Sequence, residues 1–320
     1  MSHSFTAPWW ARNPHLQTIL PVLTKVPRPK LQRERLELPD GDFLDLDWQQ
    51  TPADGEPVLV LIHGLEGSAQ SHYARRMLLE CRNQGLAAVV HHHRSCSGMP
   101  NRLPRSYHSG DTEDLAFSLR HIAGRFPHSP LLAVGYSLGG NVLAKFQGEQ
   151  GEHSPLTRAA VVSAPLTLSA CAKRLEKGFS RVYQSYLLRQ LQQKLRAKIA
   201  NPAMQMPVSA DKVDSLNTFK EFDDKVTAPL HGFTGVDDYY HRASGLPFLG
   251  RIASPTLILH AADDPFMTEA VIPTQAQLSG AVHYELYPHG GHVGFIDGGH
   301  PFKPRYFLER RVLAFLTDRS

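Results

Sequence analysis

A pentapeptide in the middle of the chain could carry a nucleophilic serine. Residues 135–139 read GYSLG, which fits the pattern G-x-S-x-G. In that pattern the serine occupies a sharp turn from a strand into a helix, with its hydroxyl exposed. The apolar run Leu131–Val134 leads into the turn, and residues 140–146 leave it at helical spacing. This context predicts that Ser137 is a nucleophile rather than part of an ordinary glycine-rich turn.

A serine nucleophile needs a general base, and three late histidines could supply it. His292 lies in a glycine-rich loop after the last predicted strand, and His289 and His300 lie on either side of it. We favour His292 because its small neighbours would allow the imidazole to enter a crowded site. A purely structural role in a surface loop is the alternative for this histidine.

A carboxylate must orient the imidazole and stabilise its positive charge. Two adjacent candidates, Asp263 and Asp264, follow the apolar run Thr256–Leu259. In serine hydrolases of this kind, the acid typically falls three residues after the small residue that closes the strand. Counting from Ala261 gives Asp264, and Asp263 is expected to support the turn or to face solvent.

Two backbone N–H groups must also stabilise the oxyanion of the tetrahedral intermediate. One is expected from Leu138, which follows the serine at the positive end of a helix. The loop 63–68, of sequence HGLEGS, is expected to provide the second from Leu65. Three neighbouring residues are predicted to contact the substrate: His63, Gly64 and Tyr136.

The run His91–His93 raises the alternative of a metal site, which His108 could complete. In a strand, His91 and His93 would share one face. No acid-rich or H-E-x-x-H ligand pattern accompanies the run. We therefore expect these histidines to line a pocket or to bind backbone groups at the end of a strand. The predicted chemistry needs neither a metal nor a cofactor.

Alternating strands and helices must position these groups. Two alternating polar and apolar stretches, 35–38 and 43–48, flank a turn and predict an antiparallel hairpin. Continuous apolar runs, typical of strands buried on both faces, follow at 57–62, 86–90, 131–134, 159–162, 256–259 and 283–286. Helical patterns occur at 70–84, 111–125, 138–149 and 302–317. These elements predict an α/β fold, in which helices flank both faces of a mostly parallel sheet.

The interval from residue 165 to residue 249 contains no convincing strand. Apolar side chains recur at every fourth position from Phe179 to Ile199, which predicts an amphipathic helix. The rest of its surface carries Arg and Lys residues and no acid. We predict a helical lid over residues 165–249, inserted into a core domain of residues 1–164 and 250–320. Simple solvation of the charged face is the favoured interpretation, and contact with anionic lipid or an acidic substrate is the alternative.

The composition narrows the possible partners. The 320 residues carry a formal net charge of +4 without a dominant basic run, which gives no indication of nucleic-acid binding. The N-terminus lacks a signal-peptide pattern, and no apolar stretch reaches the length of a membrane span. We expect a cytoplasmic protein without a stable membrane anchor, in which Trp9 and Trp10 pack onto the domain or weakly contact a bilayer. The sequence leaves the oligomeric state open.

Several longer motifs resemble those of the YheT-like esterases, a branch of the α/β-hydrolase superfamily. They are NPHLQT at 13–18, HGLEGS at 63–68, RLPRSYHSG at 102–110, GYSLGGN at 135–141, FKEFDD at 219–224 and GGHVGF at 290–295. The resemblance covers nearly the whole chain and implies a charge-relay triad of Ser137, Asp264 and His292. It implies no particular substrate, because the bacterial members resemble esterases without an assigned physiological ester. Residues 92–98 depart from the usual Asn-Phe-Arg-Gly-Cys-Ser-Gly of these relatives.

These features together predict a serine carboxylic-ester hydrolase that forms an acyl-enzyme and acts on small-molecule esters with short- to medium-length acyl chains. A lipase, a phospholipase or a thioesterase could use the same triad. A non-catalytic binding protein that retained the fold is the alternative from another class, although no triad member is missing. A metal-dependent hydrolase centred on the histidine run is the third possibility.

Overall fold

An eight-stranded sheet forms the centre of the molecule in the computed structural model, which describes residues 4–318. The spatial order of the strands is β1-β2-β4-β3-β5-β6-β7-β8. Their bounds are β1 Gln32–Glu37, β2 Phe43–Gln50, β3 Val58–Ile62, β4 Ala87–His91, β5 Leu131–Tyr136, β6 Leu156–Val162, β7 Thr256–Ala261 and β8 Val282–Tyr287. Strands β1 and β2 form the predicted antiparallel hairpin, and β2 also pairs antiparallel with β4. Strands β3 to β8 run parallel to one another. The predicted α/β fold with a mostly parallel sheet is confirmed.

Helices flank both faces of this sheet. They are α1 Pro14–Leu23, α2 His72–Asn83, α3 Thr112–Arg125, α4 Leu138–Gln150, α5 Leu168–Leu175, α6 Ser180–Ile199, α7 Phe219–Phe222, α8 Ala228–Leu230, α9 Val236–Ala243 and α10 Leu308–Leu316. Apolar side chains of α3 and α4 pack into one cluster on the sheet. Those of α2 and α10 pack into a second cluster. The strands are therefore covered on both sides, which explains why their sequences are continuously apolar.

The segment between β6 and β7 contains helices α5 to α9 and, within the described residues, no strand. The predicted amphipathic helix is present as α6. Side chains from these helices form a third apolar cluster of their own. The division into core and lid stays a prediction, and residues 1–3 and 319–320 of the predicted core lie outside the described residues.

The predicted helix 302–317 is wrong in its first part. Residues 303–306 form a short strand, β10 Lys303–Tyr306, which pairs antiparallel with β9 Ile296–His300. The helix begins only at Leu308. A proline at position 304 lacks the N–H that a helix interior requires. Gly299 within β9 has φ +74°, and a Cβ at this position would clash with the Lys303 carbonyl oxygen of the paired strand.

Candidate active site

Ser137 occupies a strained turn between β5 and α4. Its backbone has φ +51° and ψ −120°, a conformation that costs a non-glycine residue free energy and recurs at functional sites. The turn approaches the end of β3 so closely that a Cβ on Gly139 would clash with the carbonyl oxygen atoms of Ile62 and His63. The glycine spacing of the motif is therefore a packing requirement of the elbow.

Ser137, His292 and Asp264 form a continuous hydrogen-bonded chain. The Oγ atom of Ser137 lies 2.9 Å from Nε2 of His292. The Nδ1 atom of the same ring lies 2.8 Å from Oδ2 of Asp264. The other carboxylate oxygen of the buried Asp264 accepts the amide of Phe266 at 2.8 Å. The carboxylate can thus accept a proton from Nδ1, which leaves Nε2 free to accept one from the serine.

The ring of Phe266 holds the imidazole from its face. The two rings are stacked in parallel, with an interplanar angle of 2° and 4.0 Å between their centroids. Phe266 follows Asp264 by two residues. One loop therefore supplies both the carboxylate that bonds Nδ1 of His292 and the ring that stacks on its face. The sequence analysis gave Phe266 no role.

The rival acid and bases lie elsewhere. Asp263 accepts the Gly291 amide at 2.9 Å and lies 3.2 Å from Nδ1 of His289. It therefore braces the histidine loop from behind. The side chain of His289 is 43% exposed, and His300 is exposed at the end of β9. The structure brings His292 and Asp264 to Ser137, and not their neighbours.

Helix α1 holds the histidine loop from the other side. The His292 amide donates to Oγ1 of Thr18 at 2.9 Å. The buried side chain of Gln17 donates to the carbonyl oxygen atoms of Ala11 and Ile296 and accepts the Ile296 amide at 2.7 Å. The contacts to His292 and Ile296 join residues more than 270 positions apart. The motif NPHLQT marked this helix as part of the resemblance, but only the folded chain reveals what it holds.

The two expected oxyanion donors belong to segments that meet at Ser137. Leu138 is the first residue of α4, so its N–H has no partner within the helix. Leu65 follows Gly64, on which a Cβ would lie 3.1 Å from the Cβ of Ser137. Leu65 and Leu138 both line a pocket that Ser137 and His292 also border. Two amides at these positions can stabilise an oxyanion if they point to the same atom.

A buried ion pair fixes the loop that carries Leu65. The Glu66 carboxylate accepts a hydrogen bond from the Tyr107 hydroxyl at 2.7 Å. It also lies 2.7 Å from Nζ of Lys194 on α6. The Glu66 side chain is only 3% exposed. Helix α6 is therefore fastened to the predicted oxyanion loop by charge.

Lys198 is also turned inward, so the basic face of α6 is not simply solvated. Its ammonium donates to the carbonyl oxygen atoms of residues 103, 104 and 105 at 2.7 to 3.0 Å. Burial lowers its pKa to about 8. The partners of Lys194 and Lys198 belong to other elements, so the helix sequence alone could not reveal them. Arg181 and Arg189 are exposed, as expected.

Of the three residues predicted to contact substrate, only Gly64 borders a cavity beside Ser137. The His63 ring is fully buried, with Nδ1 2.8 Å from the Gly64 carbonyl oxygen and Nε2 accepting the His93 amide. The Tyr136 ring is fully buried against Tyr73, with 4.6 Å between centroids. Both side chains lie beneath the site because each points into the packed sheet, so the geometry gives them a supporting role.

The histidine run binds protein groups. His91 lies 2.9 Å from the Ser118 hydroxyl, His92 lies 2.9 Å from Asp47, and His93 lies 3.1 Å from the His63 carbonyl oxygen. Burial lowers the pKa of His91 and of His93 to about 3. The expected binding of a backbone group is present at His93, whereas His91 and His92 bind side chains instead.

His108, the proposed fourth member, lies in another cluster. In the part of the chain that the structure describes, the group whose arrangement could hold a metal is His108, Asp111 and His231, with ligand atoms within 4.8 Å of one another. Arg105 already binds the Asp111 carboxylate at 3.0 Å. This guanidinium offsets the charge that would attract a cation.

Cavities of different character meet at Ser137. A groove of about 860 Å³ runs between α1 and α6, with Ser137 and His292 at its floor. A small pocket of about 90 Å³ extends from the same two residues under α5 and has a mainly apolar lining, which includes Leu168, Ala172 and Leu175. The acyl chain and the leaving group of a bound ester could therefore extend from Ser137 in different directions.

Comparisons with known proteins identify the family. A family model described as alpha/beta hydrolase fold matches residues 57–299. An Escherichia coli (strain K12) protein named "Putative esterase YheT" is 48% identical over 95% of this chain and 90% of its own length. The chain belongs to the α/β-hydrolase family. The resemblance to its YheT-like members is confirmed.

More distant relatives of this α/β-hydrolase carry other names. The human protein "Phospholipase ABHD3" is 31% identical over 93% of this chain and 75% of its own length. Among solved structures, the Pyrococcus furiosus esterase Pf2001 superposes with a TM-score of 0.57, 14% identity and 90% coverage of each chain. The Pyrobaculum calidifontis esterase superposes with a TM-score of 0.56, 15% identity and coverage of 95% and 90%. At such low identity the two structures support the fold alone.

Proposed function

We propose that this protein is a serine carboxylic-ester hydrolase that works through Ser137, His292 and Asp264. The observation that carries the proposal is the unbroken chain of two short hydrogen bonds from Asp264 through His292 to Ser137. Chance rarely aligns a strained serine, an imidazole and a buried carboxylate in this order. The same constellation recurs on unrelated folds that cleave acyl groups.

The reaction follows from the roles of these groups. Nε2 of His292 takes the Ser137 proton as Oγ attacks the ester carbonyl, and the Leu65 and Leu138 amides stabilise the resulting oxyanion. The imidazolium then protonates the departing alcohol, which leaves the acyl group on Ser137. His292 then takes a proton from a water molecule that attacks the acyl-enzyme, and the imidazolium returns this proton to Oγ of Ser137 as the acid is released. Asp264 keeps the ring in the required tautomer throughout.

The substrate is proposed to be an ester with a short- to medium-length acyl chain. The apolar pocket beside Ser137 is small and suits such a chain better than a polar group. We further propose that residues 165–249 form the lid of this site, because α5 supplies one wall of the pocket and α6 supplies one wall of the groove.

A lipid ester is the second candidate substrate. The open groove is far larger than the small pocket and is lined by apolar side chains of α1 and α6, including Ile19, Val22 and Leu187. A groove of this kind can hold the remainder of a large lipid while the pocket holds one acyl chain. The relative named a phospholipase supports this candidate.

The test compares Ser137→Ala with Ser185→Ala, which changes an exposed serine on α6. We expect Ser137→Ala to abolish hydrolysis of p-nitrophenyl butyrate and Ser185→Ala to retain it, with equal thermal stability of both variants. Full turnover by Ser137→Ala would refute the mechanism. A folded wild-type protein that neither turns over esters nor reacts with a fluorophosphonate would instead favour a non-catalytic binding protein.

A further inference from the structure

Exposed apolar side chains border the groove that leads to Ser137. Val22 and Leu23 at the end of α1 are 57% and 72% exposed, and Val182 and Tyr186 on α6 are 55% and 64% exposed. Of the ten large apolar side chains exposed in the described residues, six belong to α1, to α6 or to its N-cap. Patches of this kind mark interaction sites, whereas scattered single residues need no explanation.

The two helices form one surface. Nδ1 of His15 on α1 lies 3.0 Å from the Tyr183 hydroxyl on α6. The same imidazole contacts the ring of Phe179, the N-cap of α6, with 4.5 Å between centroids. The turn between β9 and β10 adds Phe302, which is 93% exposed and shares a shallow groove with Leu23. The apolar side chains therefore lie on neighbouring elements, and Leu23 borders both the groove that leads to Ser137 and the shallow one beside Phe302.

The two helices of this surface carry no acidic side chain, and the acid that lines the groove, Glu66, is buried and paired with Lys194. Residues 4–33 contain five Arg and Lys residues and no Asp or Glu. Residues 177–199 contain six and again no acid, although Lys194 and Lys198 are turned inward and bind protein groups. Lys25 and Arg28 line the groove and are exposed. The whole chain is nearly balanced, with 34 basic and 30 acidic residues, so the absence of acids is a local feature of these two segments.

We propose that the exposed faces of α1 and α6, with the tip of the β9–β10 turn, form a docking surface for an anionic lipid bilayer. Apolar and aromatic side chains with Lys and Arg beside them are the combination by which helices lie in a membrane interface. In this orientation the groove opens onto the lipid, and the ester of a membrane-resident acyl lipid can reach Ser137. This consequence for the substrate rests on the proposed function, whereas the docking itself does not.

The test is flotation of the full chain carrying Ser137→Ala with vesicles of phosphatidylcholine, alone or with one quarter phosphatidylglycerol. We expect binding to the anionic vesicles, weaker binding to the neutral ones, and loss of binding in high salt. Leu23→Glu with Val182→Glu tests the apolar part, and Lys25→Glu with Arg28→Glu tests the charge. The charge pair should weaken binding at least about tenfold, given about fivefold for each basic residue. The apolar pair should also weaken it, because it replaces apolar surface that the membrane interface would bury with charge.

Met99→Glu is the matched control, because Met99 is 49% exposed and lies in a loop outside the groove lining. It should bind as well as the parent. Thermal melting must first establish that every variant is folded. No binding to anionic vesicles, or equal binding by all variants, overturns the proposal, as does a dimer that buries this surface. Because Ser137→Ala reports docking alone, a docked protein whose wild type hydrolyses no ester contradicts only the proposed function.

Discussion

Ser137 differs from the other serines of the chain in what its hydroxyl faces. Ser163, at the end of β6, also has a positive φ of 50°, yet its Oγ accepts the Val293 amide at 3.2 Å. The hydroxyl of Ser137 faces an imidazole that a buried carboxylate orients. Burial raises the pKa of the Cys96 thiol to about 11, so this thiol stays protonated at neutral pH and is a poor nucleophile.

The choice of Asp264 over its neighbour can be tested by a pair of amide substitutions. Asp264→Asn should lower kcat for p-nitrophenyl butyrate by about 10⁴-fold, because the amide favours the wrong tautomer of His292. Asp263→Asn should cost less than about tenfold, since its amide oxygen can still accept the Gly291 N–H. A larger loss for Asp263→Asn than for Asp264→Asn would reverse the assignment.

Among the elements, α1 has the least expected part in the site. It covers the histidine loop, and the loop is packed so closely on it that a Cβ on Gly294 would clash with the backbone of Gln17. The position of His292 therefore depends on a helix near the other end of the chain.

Thr18→Val removes the hydroxyl that accepts the His292 amide while keeping the shape of the side chain. We expect a loss of about 1 kcal/mol in the free energy of unfolding, the usual cost of one lost hydrogen bond, and about a tenfold lower kcat, because small misplacements of a catalytic group are costly. Denaturant melts and steady-state kinetics measure the two effects. Thr24→Val, at the far end of α1, is the control and should leave kcat unchanged. Normal kcat in Thr18→Val would mean that α1 does not position the base.

The sequence predicted those elements whose signal is local. A short window of residues is enough to predict the elbow, each of the six parallel strands and α6. The contacts of Gln17, Thr18 and Lys194 could not be predicted, because their partners lie on distant segments and no spacing rule connects them. Strand β10 was missed because Lys303–Tyr306 has two charged residues and a proline, which give little strand signal.

For the whole molecule, buried histidines predict acid sensitivity. Burial lowers the pKa of four of them to about 3 or 4, namely His91, His93, His231 and His260. These groups titrate near 6.5 in the unfolded chain. As the pH falls below 6.5, the unfolded state therefore binds protons that the folded state does not. Each such histidine lowers the free energy of unfolding by about 1.4 kcal/mol per pH unit.

Two buried acids oppose this fall in the free energy of unfolding at low pH. Burial raises the pKa of Asp111 to about 7 and that of Asp223 to about 6, so the folded state gains protons at these positions as the pH falls. Four histidines against two acids leave a net loss of stability between about pH 6 and pH 4. We expect Tm to fall from pH 7 to pH 5 in calorimetric scans, and His91→Gln to reduce that fall. An unchanged or higher Tm at pH 5 would contradict this balance of buried groups.

No helix in the described residues is both long enough and apolar enough to cross a bilayer. In the docking that we propose, lipid contacts the surface around the groove, where α1 and α6 meet. The same two helices, α1 and α6, also form the walls of the groove that gives access to Ser137.

The most direct test of the central claim is to identify the atom that becomes acylated. The wild-type protein is treated with a fluorophosphonate, digested and sequenced by mass spectrometry, with Ser137→Ala in parallel. We predict one adduct per chain, on the peptide that contains Ser137, and none in the variant. An adduct on any other residue, or equal labelling of the variant, would contradict the account.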